Sequence, residues 1–489
     1  MSAPSSGLMR RFFSCLSARS SGVAGDAASS DSDGDGPHGG EDIISGLPDD
    51  VLSSIVSLLP IKEAARTAVL SSRWRRLWAS NPLVLDDMDL LLNNPSHVGA
   101  VTATVSAAMR AHPGPFRSVS LTCYFSDADK HVLRRWIRVL AAKGAKELVL
   151  NNIPWAGLDL LPGALLECRS LQRLRISDWR FPDTSGAPAL PRGAAAALPR
   201  LRELVLGRTI IQEQDLDRVL ASSPMLKTLV FVLSSGVPAQ VRLSSRSLWC
   251  VVFWHSAAEE LAVVAAPLLE RIIIQTSSSS CASRWGMRIK IGSASVLQAL
   301  GFLNPSCHEL QIGETVIKVG NKKAAPDAVV PSVKILALSV QFGVGSKARM
   351  VSCFLECFPN IETLHVRSIP DRGATSKDGN SEFWSEIDSV ECVKGSINKV
   401  VIHGFQWENC EVEFLKSILE GAKMLQKIHI LQDPNISVSE GDVNGTLSLL
   451  ASLNKGVELV ILAAGQGYGI WTYEVASDLS RNDPFDCQN

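Results

Sequence analysis

The chain has 489 residues and a near-even balance of 48 Lys and Arg against 49 Asp and Glu, so nothing in its overall field argues for nucleic acid or an anionic membrane as the main partner. Its apolar fraction of 46% calls for a large buried core, but the longest apolar run, from Leu248, is interrupted by His255, Glu259 and Glu260, and no segment is expected to cross a bilayer. The 11 cysteines form no CxxC pair and no zinc spacing with histidine, which favours a reducing nuclear or cytoplasmic setting and predicts neither a structural metal nor a cofactor.

The first forty residues hold Arg10, Arg11 and Arg19, many serines and no acid before Asp26. That composition fits either a disordered leader or an organelle transit peptide, and the following DAASSDSDGDGPHGGED reads as a flexible acidic linker. The stretch around Phe12, Phe13 and Leu16 is too broken for a secretory signal, so the glycosylation-like triplets at Asn435 and Asn444 carry no weight.

Residues 47–78 read LPDDVLSSIVSLLPIKEAARTAVLSSRWRRLW. Pro48 followed by Asp49 and Asp50 marks a helix start, because proline tolerates the first turn and acids favour the positive end of the dipole. Leu52, Ile55, Val56 and Leu59 then share a face, and Pro60 stops the helix. IKEAARTAVL supplies a second helix with Ala64, Ala65, Ala68 and Val69 in register, and SRWRRLW a third. Three short helices bury too little surface to stand alone, so part of their apolar surface is expected to meet a partner.

From Phe116 onward one pattern recurs: apolar, any two, apolar, any, apolar. The units are FRSVSL, AKELVL, LQRLRI, LRELVL, LKTLVF, LWCVVF, LERIII, LQALGF, VKILAL, IETLHV, INKVVI, LQKIHI and VELVIL, mostly spaced between about twenty and thirty-six residues. Side chains alternate along a strand, so the fourth and sixth positions point into a core that one unit cannot cover alone. Neighbours must therefore stack into a parallel sheet. The returns include helix-like EQDLDRVLASSPM, with Leu216, Val219 and Leu220 at helical spacing. SSSSCASRWG and DRGATSKDGNSE read as loops. The Asn or Cys usual three residues after the second core position is replaced by Ile153, Trp179, Thr209 and Ser234, which makes the repeat degenerate.

Third and fifth positions face outward: Arg173 and Arg175, Arg271, Thr363 and His365, Lys399, Lys427 and His429, beside Val149, Val205, Val230, Val252 and Ile273. This mildly basic set is expected to bind an acidic or mixed peptide, the alternative being solvated charges and ordinary strand residues. VILAAGQGYGIW, from Val460, has GxGxG spacing with no acid-bearing second strand and is read as a terminal loop. No P-loop, HExxH or GxSxG occurs, so an enzymatic reading would need a Cys or Ser activated by neighbours distant in sequence.

Residues 47–78 resemble the F-box in its plant form, through the LP start, the LLP break, the VLS junction and SRWRRLW. INKVVIHGFQWENCEVEFLKSILEGAKMLQKIHI resembles the FBD module, through Gly404, Glu413 with Phe414, Leu415, Leu419, Ala422 and Leu425, with WENCEVEF departing from the usual glycine-and-glutamate run. The chain is thus similar to plant F-box/leucine-rich-repeat/FBD proteins. The resemblance implies an α/β solenoid, a three-helix F-box followed by an irregular leucine-rich-repeat parallel-sheet horseshoe. Expected boundaries are 1–40 for leader and linker, 43–82 for the F-box, 112–390 for the repeats, 395–465 for FBD-like terminal repeats and 466–489 for a C-terminal tail.

It further implies a non-catalytic substrate receptor of a cullin-RING ubiquitin ligase, whose F-box binds a Skp-family adaptor while the repeats bind the target protein. Leu47, Pro48, Leu52, Ile55, Leu58, Leu59, Val69, Leu70, Trp74 and Trp78 are carried over as adaptor contacts. A third of these are expected to hold the helices together, Trp74 and Trp78 to do both, and Trp74 to pack against the first repeat. The alternative is an interaction scaffold outside any ligase.

Overall fold

The computed structural model describes residues 43–486 except 45, 92–97, 124–129, 153–157, 185–197, 257, 277–285, 293, 321–326, 344, 371–383, 385–386, 437–438, 454–455 and 463–470. The expected leader and acidic linker, the body of both predicted loops, Ile153 and the glycine run after Leu462 lie outside the described residues. The chain divides into two compact units, one running to Asp183 with residues 188–201, the other comprising residues 184–187 and everything from Arg202.

The first unit opens with α1 (Asp49–Leu58), α2 (Ile61–Thr67) and α3 (Ser72–Ser80). It continues as β1 (Leu83–Asp86), α4 (Met88–Leu91), α5 (Val98–Ala111), β2 (Phe116–Cys123), α6 (Lys130–Ala142) and β3 (Glu147–Asn152). The two-residue strands β4 (Asp159–Leu160) and β6 (Trp179–Arg180) pair with each other on either side of β5 (Arg173–Ser177) in the sequence. β1, β2, β3 and β5 run parallel in that order, with Leu85, Val119, Leu148 and Leu174 in one register column. α6 packs beside α5 and the turn Gly163–Glu167 and buries Leu133, Trp136, Ile137 and Leu140, the three-and-four spacing of one helix face.

In the second unit the main sheet runs β7 (Glu203–Gly207), β8 (Thr228–Val232), β10 (Cys250–Trp254), β12 (Arg271–Gln275), β14 (Ala299–Leu303) and β17 (Ile335–Val340). It continues through β18 (Thr363–Ser368), β19 (Lys399–Phe405), β20 (Lys427–Gln432) and β21 (Glu458–Leu462), all neighbours parallel. Every repeated unit read from the sequence is therefore a strand. Fourth positions align as Leu229, Val251, Ile272 and Leu300, and sixth positions as Phe231, Phe253 and Ile274, with the Phe231 and Phe253 rings stacked 5.0 Å apart. The chain turns through a residue with positive φ at the end of β7, β8 and β10, at Arg208, Leu233 and His255, as it does at Asp178 after β5 in the first unit. Hydroxyls take the place of the missing Asn ladder at two of these turns. Ser234 Oγ donates to Leu206 O at 3.0 Å and accepts from Thr209 N–H, and Ser256 Oγ accepts from Ser234 N–H at 2.9 Å.

The returns differ from one another. α7 (Glu213–Ser222) forms where Leu216, Val219 and Leu220 predicted it, and α8 (Gly345–Glu356), α9 (Glu391–Gly395), α10 (Asn409–Gly421) and α11 (Glu440–Leu453) serve later repeats. Between β8 and β17 the returns are instead strands of a second sheet: β9 (Gln240–Ser244), β11 (Glu260–Ala265), β13 (Arg288–Ile291), β15 (Glu309–Ile312) and antiparallel β16 (Thr315–Ile317). Their alternation was visible in QVRLS and ELQI, whose buried residues are Val241, Leu243, Leu310 and Ile312. A short helix, α12 (Tyr473–Ser477), packs against β8 and β10. No described helix is long and apolar enough to cross a membrane, and no described cluster of His, Cys, Asp or Glu has metal-binding form.

Candidate docking surfaces

The first three helices bury an inner set and expose an outer one. Leu52 and Val56 of α1, Ile61 and Ala64 of α2, and Trp74 and Leu77 of α3 are buried. Polar ties hold the helices together: Arg73 Nε donates to Asp49 Oδ1 at 2.6 Å, and Asn81 Nδ2 donates to the Ser53 carbonyl at 2.7 Å. Ser71 caps α3 by accepting from Trp74 N–H.

Two expectations are corrected here. Leu52, fully buried, and Trp74, 8% exposed, are core residues of the module and not surface contacts. It is Trp78 that reaches the first repeat: its ring meets His112 edge-on at 5.1 Å, and His112 meets Phe116 of β2 at 5.2 Å. His112 Nε2–H donates to Pro115 O at 3.1 Å, and burial lowers the histidine's pKa, which keeps the ring neutral.

The second helix stops at Thr67, so Val69 and Leu70 lie beyond its end and not in register with Ala64. Both are bare, Val69 at 81% and Leu70 at 68% exposure, as is Leu58 at 70%. Ile55 and Pro48 are also exposed, while Leu47, Leu59 and Trp78 are half-buried. Sequence reasoning passed over Ile43 and Ile44, which are exposed just before the LP start. An isoleucine pair at the edge of an acidic linker was the available signal. Monomeric proteins rarely expose this many large aliphatic side chains in so short a stretch, and such a set marks a docking surface.

The second candidate surface, the outward positions of the repeat sheet, is largely covered. In the second unit Val230, Val252, Ile273 and Val401 are buried, and so are Arg271, His365 and His429. The cover is the segment expected to be a tail. Trp471 lies tilted at 4.7 Å from Trp254 and edge-on at 5.3 Å from Phe302, and Phe485 meets Phe302 at 5.2 Å and His365 at 5.4 Å. Arg271 donates from one guanidinium nitrogen to Asp478 O at 2.8 Å and from the other to Arg481 O. Asp483 Oδ2 lies 2.9 Å from His365 Nε2, and Asp486 Oδ2 lies 3.0 Å from Lys399 Nζ.

Electrostatics follow from this geometry. Burial alone would raise the Asp483 carboxyl, but the charge and hydrogen bond of His365, the Phe485 N–H and Lys399 together hold it at about 2. His403, whose Nε2 lies 3.0 Å from His365 Nδ1, is pushed well below its ordinary pKa by burial and then by His365 and Arg367.

The remaining outward cations are accounted for otherwise. Arg173 pairs with Glu147 in the adjacent strand at 2.9 Å, Lys427 pairs with Glu458 at 3.1 Å, and both pairs are solvated cross-strand ions. Arg175 and His429 are each only 7% exposed, so neither offers a free charge.

Phe302 reached this face by a register change. Leu300 pairs with Leu336 and Leu303 with Leu338, so β14 carries one extra residue and Leu303, not the sixth-position Phe302, enters the core column. Gly301 makes this feasible: it sits at φ +139, and a Cβ there would stand 2.2 Å from Ala337 O.

At the FBD-like end, the atypical WENCEVEF run forms a helix start. Glu408 and Glu411 make a reciprocal capping box at α10, with Glu411 Oε2 accepting from Gln406 and Glu408 N–H at 2.9 and 3.0 Å. Burial raises Glu411 to about 7. Phe414 is fully buried against Phe342 and Trp384. Burial also pushes the thiols of Cys168, Cys250, Cys357, Cys392 and Cys410 up to about 12, the reverse of an activated nucleophile.

Comparison with known proteins adds to this geometry. The F-box domain family matches residues 44–86, the leucine-rich repeats of FBD-associated F-box protein At5g56370 match 133–366, and the FBD family matches 386–430. The chain belongs to the plant F-box/leucine-rich-repeat/FBD family. Among its relatives in Arabidopsis thaliana, F-box/LRR-repeat protein At3g26922 is 30% identical over 39% of this chain and 59% of its own length. F-box/FBD/LRR-repeat protein At5g22660 is 22% identical over 81% of this chain and 90% of its own length, and At1g13570, of the same description, is 27% identical over 80% and 91%. The chain therefore spans less than two thirds of the first relative and nearly all of the other two. No catalytic family is among the matches.

Proposed function

We propose that this F-box/leucine-rich-repeat/FBD chain is a non-catalytic receptor subunit of an SCF-type cullin-RING ubiquitin ligase. Its three-helix module docks a Skp-family adaptor and its repeats capture the target protein. The observation that carries the reading is the bare apolar set on a module whose own core is already filled. Burying Ile43, Ile44, Val51, Ile55, Leu58, Val69 and Leu70 at about 1.5–3 kcal/mol each is enough to offset an association cost on the order of 4–15 kcal/mol. Catalysis belongs to the bound conjugating enzyme, and this chain acts by raising the effective concentration of target lysines near it.

The test is a binding titration of purified full-length protein with a Skp-family adaptor, beside Val69→Asp/Leu70→Asp. Both residues are exposed, so the variant is expected to keep the wild-type melting temperature and lose at least a hundredfold in affinity. Wild-type protein that does not bind the adaptor moves the reading to a scaffold outside the ligase.

A further inference from the structure

The outward face of the second unit's sheet was expected to be open and to bind an acidic or mixed peptide. It is occupied by the chain's own residues 471–486, and the occupant has the chemistry expected of the ligand. Asp483-Pro484-Phe485-Asp486 sets an aromatic ring between two carboxylates. Its two acids meet His365 and Lys399, its ring meets Phe302, and Arg271 takes two main-chain carbonyls just upstream. Arg367 lies 3.8 Å over the Phe302 ring and 5.3 Å from that of Trp471, a cation placed against both aromatic anchors.

We propose that this face is a docking groove for a short acidic segment bearing an aromatic residue between two acids, and that residues 471–486 are its resident, exchangeable occupant. The inference rests on the reading of the repeats as the target-capturing part.

Three observations favour exchange over a purely structural cap. The segment adds no strand to the sheet, so what holds it on the face is side-chain contact and the Arg271 bonds to its carbonyls, and not a ladder of main-chain hydrogen bonds. It is partly folded on itself, Trp471 Nε1–H donating to Pro484 O at 2.8 Å and Arg481 donating to Asp486 O at 2.9 Å, so it carries its bound shape with it. And the seat is imperfect: Glu474 is 9% exposed, with neither carboxylate oxygen hydrogen-bonded among the described residues. A buried acid left in that state favours release.

The test uses full-length wild-type protein and full-length Asp483→Asn/Asp486→Asn, with a fluorescein-labelled synthetic peptide of residues 471–486 followed by anisotropy. Because the tethered segment competes at an effective concentration on the order of millimolar, wild type is expected to bind the peptide weakly and the variant at least tenfold more tightly. A peptide with both acids changed to Asn should bind neither.

Equal binding to both proteins, no binding to either, or loss of the variant's cooperative melt overturns the proposal; the last outcome makes the segment an integral part of the domain. A second measurement needs no variant. Excess unlabelled peptide added to wild type should speed amide hydrogen exchange in residues 473–486, and unchanged exchange at several millimolar peptide also overturns exchangeability. Adaptor affinity is read in the same preparations. It is expected to be unchanged, so failure here and failure of the receptor reading are separable.

Discussion

The three N-terminal helices and the outward face of the second unit differ in how far their sequences foretell what is open. The helices, too short to bury all their apolar surface, were expected to leave some of it for a partner, and Leu58, Val69 and Leu70 do stand bare. The repeat face, rich in Arg, His and Lys, looks like a solvated surface, yet His365 is fully buried. Apolar periodicity states that a residue will be covered, not by what, and a charge pattern does not reveal a distant segment of opposite charge. Openness is a property of the whole chain, while hydropathy is a property of a window.

The largest expected effects probe the first half of that contrast. Leu52→Ala should cost about 2–5 kcal/mol in urea unfolding, the range for emptying a filled core site, whereas Leu58→Ala should stay within about 0.5 kcal/mol. Comparable losses at both positions would mean that the bare set is part of the module's own core.

A second effect is electrostatic. Burial raises Asp87 to about 8, against the opposing hydrogen bond from Thr122 N–H at 2.6 Å. Between its unfolded value near 3.8 and about 8 the folded chain holds a proton that the unfolded chain releases, so this group's contribution to stability falls as pH rises through that window. Asp87→Asn should gain on wild type steadily from pH 4 to pH 8 in thermal melts, and a constant difference would place the carboxyl's titration elsewhere.

In the second unit, Gly301→Ala is expected to destabilise by about 1–3 kcal/mol, because the new methyl meets Ala337 O and the strand cannot yield without losing its extra residue. Trp471 fluorescence should shift as Phe302 is displaced, and an unperturbed spectrum would separate the bulge from the covered face. The smallest effect belongs to the solvated rim: Lys427→Ala should change stability by less than about 0.5 kcal/mol, since its pair with Glu458 is exposed on both sides.

What was legible follows the same division. The repeated strands could be read because period-two burial and regular spacing are local, and α7 because Leu216, Val219 and Leu220 share a helical face. The second sheet was not legible although QVRLS alternates, because five residues of alternation are too short to tell a returning strand from an irregular loop. Phe302 was assigned inward because one inserted residue reverses every later side chain, and an inserted residue leaves no mark in hydropathy. Among the residues expected to contact the adaptor, Leu52 and Ile55 are isomeric side chains on the face read from α1 and have opposite fates, which the packing of α1 on α3 and β1 decides. Cover for Arg271 comes from carbonyls more than two hundred residues away, beyond any window.

That separation has a consequence in time. A ribosome releases this chain from the N-terminus, at about 5–20 residues per second, so the strands bearing Arg271, His365 and Lys399 are complete before residues 471–486 have been made. During that interval the groove exists without its occupant. A segment bound then would meet no competitor, and the order of synthesis itself becomes a selector between what the protein holds first and what it holds afterwards.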